Sequence, residues 1–376
     1  MREILTLFMA MVSLGMPAPA QSPTPAPDYL VWIASEATDR IALIRFNAAS
    51  GAKVEREFTI GLLPTDPDGP HGLTVSPDGR FLYITTAHGQ PFGFLWKIDA
   101  ATSAVVGRVE LGMFPATLQL TPDGAFAYIV NFNVHGDMVP SSVSVVGTDD
   151  MLEIARVPTC TMPHGSRLNP QGTKQYSACM MDDLMVEIDT RTFGVARVFR
   201  VGKDQEGMAT LPTPEHTAHS APRTAHAVPS CSPTWAQPSA DGSRVYVACN
   251  KSNEILEIDV NRWTLTRRFA AADGVYNLAV TRDGRLLVAT NKRGQSISIF
   301  ELATGKEVAR LSTKRRIVHG VVVSPDDRYA FVSVEGIGSQ PGTLEVIDLR
   351  SRAAVAAADV GQMAGGIDFW KTEGGH

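Results

Sequence analysis

Gly69-Pro70-His71-Gly72-Leu73-Thr74-Val75-Ser76-Pro77-Asp78-Gly79-Arg80-Phe81-Leu82-Tyr83-Ile84-Thr85-Thr86 reads as strand, tight turn, strand. Leu73 and Val75 alternate with small or polar residues, and Phe81, Tyr83 and Thr85 lead a second strand. Between them Ser76-Pro77-Asp78-Gly79 carries the chemistry of a turn. Proline presets φ, aspartate bonds back to the backbone, and glycine takes positive φ.

The same pattern returns down the chain. With Asp78 as the mark, matching turns are Thr121-Pro122-Asp123-Gly124, Asn169-Pro170-Gln171-Gly172, Ser239-Ala240-Asp241-Gly242, Thr281-Arg282-Asp283-Gly284 and Ser324-Pro325-Asp326-Asp327. Successive marks are 45, 48, 70, 42 and 43 residues apart, and the long gap is an insertion at 202–232. A second strand follows each turn, as at Tyr128-Ile129-Val130-Asn131 and Tyr246-Val247-Ala248-Cys249. A third ends in an Ile-Asp turn (Ile98-Asp99, Ile188-Asp189, Ile258-Asp259, Ile347-Asp348), and a fourth completes the unit. Four strands repeated at this period predict an all-β chain built as a β-propeller.

The Ser-Pro-Asp-Gly turn, the Tyr-Val-Thr-Asn-like strand and the Ile-Asp turn together resemble the YVTN-repeat, YncE-like β-propellers over essentially the whole mature chain. That resemblance implies a fold, while such propellers serve many roles. At the ends, Tyr29–Ser35, Ile41–Asn47 and 53–61 read as three strands lacking a first. Gly365-Gly366-Ile367-Asp368-Phe369 reads as a first strand lacking the other three. Joined, they make a seventh blade and close the ring without a long free edge.

Met1-Arg2, the apolar run Ile4–Met16 and Ala18-Pro19-Ala20 read as a signal peptide over 1–20, followed by a Pro-rich linker at 21–28 and the propeller at 29–376. The expected location is periplasmic or secreted, with no membrane span. The net charge is −5 and no Lys/Arg cluster dominates, which disfavours nucleic acid as a partner. Neither a P-loop, nor a dinucleotide fingerprint, nor a Gly-x-Ser-x-Gly elbow, nor Cys-x-x-Cys-His occurs, so no nucleotide and no covalent haem is expected.

Blade order assigns residues to faces. First strands run from one face, the mouth, to the Pro-Asp-Gly turn at the other. His71, His164 and His319 each stand seven residues before the mark, and each precedes glycine. They begin the inner strands of the first, third and sixth blades. Their counterparts are Ala116, Thr234, Tyr276 and Gly365. His88 and His135 fall in second-to-third-strand loops at the mouth, and His216, His219 and His226 fall in the insertion. Three imidazoles about one axis make a candidate site for copper or zinc, with the other histidines, Asp182, Asp183 or Glu335 as further ligands. One of the three could instead serve a metal-independent or Mg-assisted hydrolase or lyase, lactonase-like, as general acid or base. The histidines could also be a repeat feature bonded to carbonyls, in a scaffold that binds a protein partner without catalysis.

Cys179 and Cys249 stand eight residues past their marks, and Cys160 and Cys231 precede the first strands of the same blades. Of three possible pairings, Cys160–Cys179 and Cys231–Cys249 are expected as disulfides. Thiolate ligation of a soft metal beside Met162, Met180 and Met181 is the alternative. Trp235 and Tyr276, at or beside the head of their inner strands, are candidates for stacking on a ligand or for packing between blades.

Overall fold

The computed structural model describes residues 26–63, 65–88, 92–212 and 228–374. The expected signal segment, most of the linker and the histidines at 216, 219 and 226 lie outside the described residues. Among those described, the chain forms seven antiparallel sheets, six of four strands and one of five, in a propeller ring. The blades cover 70–110, 115–161, 163–209, 233–270, 275–312 and 318–360, and the two ends share the seventh. In that last sheet Ala364–Glu373 is innermost, followed by Asp28–Ser35, Arg40–Asn47 and Gly51–Thr59. The expected closure by one C-terminal and three N-terminal strands is therefore observed. The third blade gains a fifth strand, Gly207–Ala209, which pairs with Gly194–Arg200, so the insertion starts as an extension of the blade.

Each turn folds as its residues dictate. Ser76 Oγ donates to Asp78 Oδ1 at 2.6 Å and accepts from Phe81 N–H, while Gly79 sits at φ +71°. The Ile-Asp turns work alike: Asp99 Oδ1 accepts from the backbone N–H groups of Ala101 and Thr102. The second strands, such as Phe81–Thr86, are buried along nearly their whole length, because neighbouring blades cover both faces. The outer strands, such as Val105–Glu110, alternate and are half exposed.

Blades are stitched near the axis by the hydroxyl of the second strand. Thr85 Oγ1 accepts from Gly72 N–H at 2.8 Å and donates to the Ala116 carbonyl of the next blade at 2.9 Å. Ser333 does the same between Gly320 N–H and the Gly365 carbonyl. This approach accounts for the glycine after each histidine. A Cβ on Gly320 would lie 2.7 Å from the Gly365 carbonyl oxygen, and one on Gly72 would run into that of Ala116.

A β-bulge follows the head of every first strand, for example between Pro70 and Leu73, Pro163 and Ser166, and Val318 and Val321. A bulge inserts one residue and turns the side-chain alternation over. Both disulfides, Cys160–Cys179 and Cys231–Cys249, are formed, with Cα separations of 5.9 and 4.5 Å. No described cysteine is free, which removes the thiolate alternative. Two disulfides fit an oxidising, exported compartment, and no described helix is long and apolar enough to cross a membrane.

Candidate functional site at the channel mouth

The heads of the first strands bring His71, His164 and His319 together. Ring centroids lie 6.2 Å apart for His71 and His164 and 5.4 Å apart for His71 and His319. Tyr276, their counterpart on the fifth blade, bridges the other two at 5.3 Å from His164 and 5.0 Å from His319. Gly365 leaves room beside His319, where an added Cβ would stand 3.6 Å from the ring. The three histidines are 8, 1 and 6% exposed, so they form a covered layer rather than an open rim. Phe114 and Phe132 help cover it, with rings 5.3 Å from His71 and 4.8 Å from His164. Met138, Met162, Met180 and Met181 belong to the same apolar patch.

Each imidazole has a different set of partners. His164 Nδ1 donates to the Thr234 carbonyl at 3.0 Å, and a carbonyl can only accept. Nε2 of the neutral ring therefore accepts from the Tyr276 hydroxyl, also at 3.0 Å. Both nitrogens are engaged, and burial pulls the ring's pKa down to about 3, helped by the nearness of the His71 ring. His71 Nδ1 donates to Glu36 Oε2 at 2.8 Å, while its Nε2 is buried without a partner among the described residues. His319 Nδ1 is likewise buried and unpaired. Burial first, and then the Lys292 ammonium, hold the His319 pKa well below the ordinary value.

Glu36 is a site residue that sequence reasoning missed. It sits in a three-residue 3₁₀ turn in the seventh blade and also accepts from His88 Nε2. Burial alone would raise its pKa, but the attraction of the adjoining His71 ring and the hydrogen bonds from both imidazoles outweigh that and hold it far below the carboxylate range. The bond to Glu36 in turn raises His88, against the pull of burial. His135 Nε2 lies 3.3 Å from His88 Nδ1, so a chain of polar contacts runs from the exposed His135 to the buried His71. Glu36 occupies the same loop class as His88 and His135, so the loop rule, extended to acids in the last blade, would have found it.

The remaining candidates divide. Glu335 joins the layer: its Oε1 is 2.8 Å from Lys292 Nζ and 3.9 Å from His319 Nε2. Lys292 lies 4.5 Å from the centre of the Tyr276 ring. Asp182 and Asp183 do not join it. Asp182 accepts from Thr161 N–H, and Asp183 accepts from Ser230, Cys231 and Ser232 backbone groups, anchoring the return of the insertion. Trp235 is buried one level deeper, with the Arg167 guanidinium 4.4 Å from its ring centre. Among the described residues, no group of three or more His, Cys, Asp or Glu is arranged to hold a metal ion.

Fold and mouth together define a seven-bladed β-propeller with a covered, polar cluster where its channel begins. No protein-family model matches the chain, and a search of curated proteins found no match. Solved structures do match. Hydrazine synthase of Kuenenia stuttgartiensis superposes with a TM-score of 0.61 at 22% identity, over 81% of this chain and 91% of that one. A functionally unknown protein from Desulfotomaculum acetoxidans gives 0.66 at 16% identity, over 91% and 98%. Dihydro-heme d1 dehydrogenase NirN, solved in complex with DHE, gives 0.59 at 12% identity, over 90% and 75%. At these identities the likeness concerns the fold, and the resemblance to YVTN-repeat propellers stands at that level too.

Proposed function

We propose that this is an exported propeller that binds a transition metal, copper or zinc, or a substrate carrying one, through the histidines of the channel mouth. The observation that carries this reading is the pair of buried imidazole nitrogens without partners, His71 Nε2 and His319 Nδ1. Leaving a buried polar nitrogen unpaired is costly unless something fills the place. Neutral imidazole is the commonest metal ligand, and burial keeps His319 neutral. Glu36 on His71 Nδ1 is the outer-shell carboxylate that orients such a ligand and raises its basicity. His164 is satisfied on both nitrogens and enters the set only if Tyr276 releases it. Two protein nitrogens leave further positions for water, for substrate, or for the insertion histidines at 216, 219 and 226. The thioethers of the adjoining methionine patch favour copper over zinc.

Glu36 and His71 also support a second reading. A carboxylate-held imidazole with a bare Nε2 is the arrangement of a general base, which suits a lactonase-like hydrolase or lyase. Metal titration of the purified protein beside His71→Ala, His319→Ala and His164→Ala separates the two. The metal reading expects near-stoichiometric binding, weakened roughly tenfold or more by the first two variants and less by the third. A wild type that neither carries metal nor takes it up ends that reading. Metal-free turnover of a lactone panel, lost in His71→Ala, then establishes the base. Variants that match wild type in every assay would leave an interaction scaffold.

A further inference from the structure

Beneath the histidine layer the axis holds a second set of polar side chains that the mouth site does not use. Three residues past the histidine position, the first strands carry Thr74, Gln119, Arg167, Gln237 and Asp368. Between the two levels lies a cavity of about 30 Å³, lined by His71 and His319 on the mouth side and by Arg167, Trp235, Asn277 and Gly366. It is separate from the vestibule of about 580 Å³ at the far face, where Asp368 is part of the lining.

The lining is short of partners. Trp235 Nε1 and Asn277 Oδ1 are buried and unpaired among the described residues. Arg167 donates one hydrogen bond, from Nη1 to the Ser166 carbonyl at 2.8 Å, and rests on the Trp235 ring. No described carboxylate lies within ion-pair distance of it. Asp368, at the same position of another blade, turns away: its carboxylate accepts from Thr74 Oγ1, Val75 N–H and Phe369 N–H. Burial lowers the Arg167 pKa only to about 10, so the guanidinium stays charged at neutral pH. A guanidinium has five N–H donors. Here most of them have no protein acceptor, on a partly buried side chain beside a small cavity with an unpaired indole N–H. The rotatable amide of Asn277 can turn a further donor inward.

We propose that this cavity is a binding site for a small inorganic monoanion, a halide or a three-atom oxyanion, held by the Arg167 guanidinium against Trp235. Size sets the class. A water needs roughly 10–15 Å³ on this measure, so the space admits about two waters or one such ion, and a phosphate or an organic acid does not fit. The site does not rest on the metal reading, since Arg167 makes no hydrogen bond to a mouth histidine among the described residues.

The test uses chelator-treated full-length protein and bromide, with gluconate, too large to enter, holding the ionic strength constant. The melting temperature of the wild type is expected to rise saturably with bromide. Arg167→Gln should shift the half-saturation concentration at least tenfold upward or abolish the rise, and Arg167→Lys should fall between. Anomalous scattering from crystals grown in bromide should show one peak beside the guanidinium. Two waters and no bromide peak in that cavity would overturn the proposal, as would an equal bromide response in Arg167→Gln. Should that variant not fold, the wild-type bromide map decides alone.

Discussion

Glu36 is the residue on which the mouth depends. One buried carboxylate receives two imidazoles from a neighbouring blade and thereby sets which nitrogen of His71 is bare. Glu36→Gln keeps the shape but loses the charge that holds His71 and His88. It should lower stability by about 1–3 kcal/mol in urea unfolding and, under the metal reading, weaken metal binding roughly 10–100-fold in competition titrations. Tyr276→Phe tests the other side of the layer. Without the hydroxyl, His164 Nε2 has no donor and becomes available as a third nitrogen. Under the metal reading Tyr276→Phe therefore tightens binding; unchanged or weaker affinity in the same titration would show that His164 only walls the site.

The blade is the element, and its junctions explain residues that composition leaves obscure. The glycine after each histidine recurs with the repeat. In the ring it is where one blade's backbone passes the next blade's carbonyl. Gly320→Ala puts a methyl 2.7 Å from the Gly365 oxygen. It should cost about 1–3 kcal/mol by overpacking, read as a lowered melting temperature with the disulfides intact. Thr85→Val removes a hydroxyl that serves two buried backbone groups at once, and a loss of about 1–3 kcal/mol is expected by chemical denaturation. The disulfides act at the same scale: opening Cys231–Cys249 with the double serine variant should cost about 2–4 kcal/mol. That bridge ties down the point where the insertion returns to the fourth blade.

Across the whole molecule the turn aspartates recur, and so does their chemistry. Hydrogen bonds from serine or threonine hydroxyls and turn N–H groups lower Asp78 and Asp123, and bring Asp241 down to about 2. The Ile-Asp turns behave alike: the Lys174 ammonium and turn N–H groups bring Asp189 down to about 2. A carboxyl lowered on folding adds stability that is fully present above its unfolded value, near about 3.9. That stability is lost as pH falls through the folded value. The ring is therefore expected to begin losing melting temperature below about pH 6.5, where the buried His164 and His319 stay neutral while their unfolded counterparts take up protons, and to lose it steeply between about pH 4 and 2 as the turn carboxylates protonate. Calorimetry across that range checks this, and a midpoint flat to pH 2 would contradict it. Closure is the other global property. Tyr29 donates to Asp326 at 2.7 Å, joining the seventh blade to the sixth, and the strand Ala364–Glu373 is paired with Asp28–Ser35.

The repeat made the architecture legible. Turn chemistry, alternation and period are local properties, so Ser76-Pro77-Asp78-Gly79 and its copies announced blades, ring closure and cysteine pairing before any contact was known. Repeat position also placed His71, His164 and His319 on one face, because equivalent positions on a closed ring converge. What it could not supply was the state of each nitrogen. Glu36 comes from the neighbouring blade, 35 residues before His71, Tyr276 from another, and a bulge at the head of each strand re-aims the side chains that follow. Hydrogen bonds between residues 35 to 112 positions apart have no sequence period to reveal them. They exist only once the ring has closed, and they decide which imidazole nitrogens are paired and which are left bare.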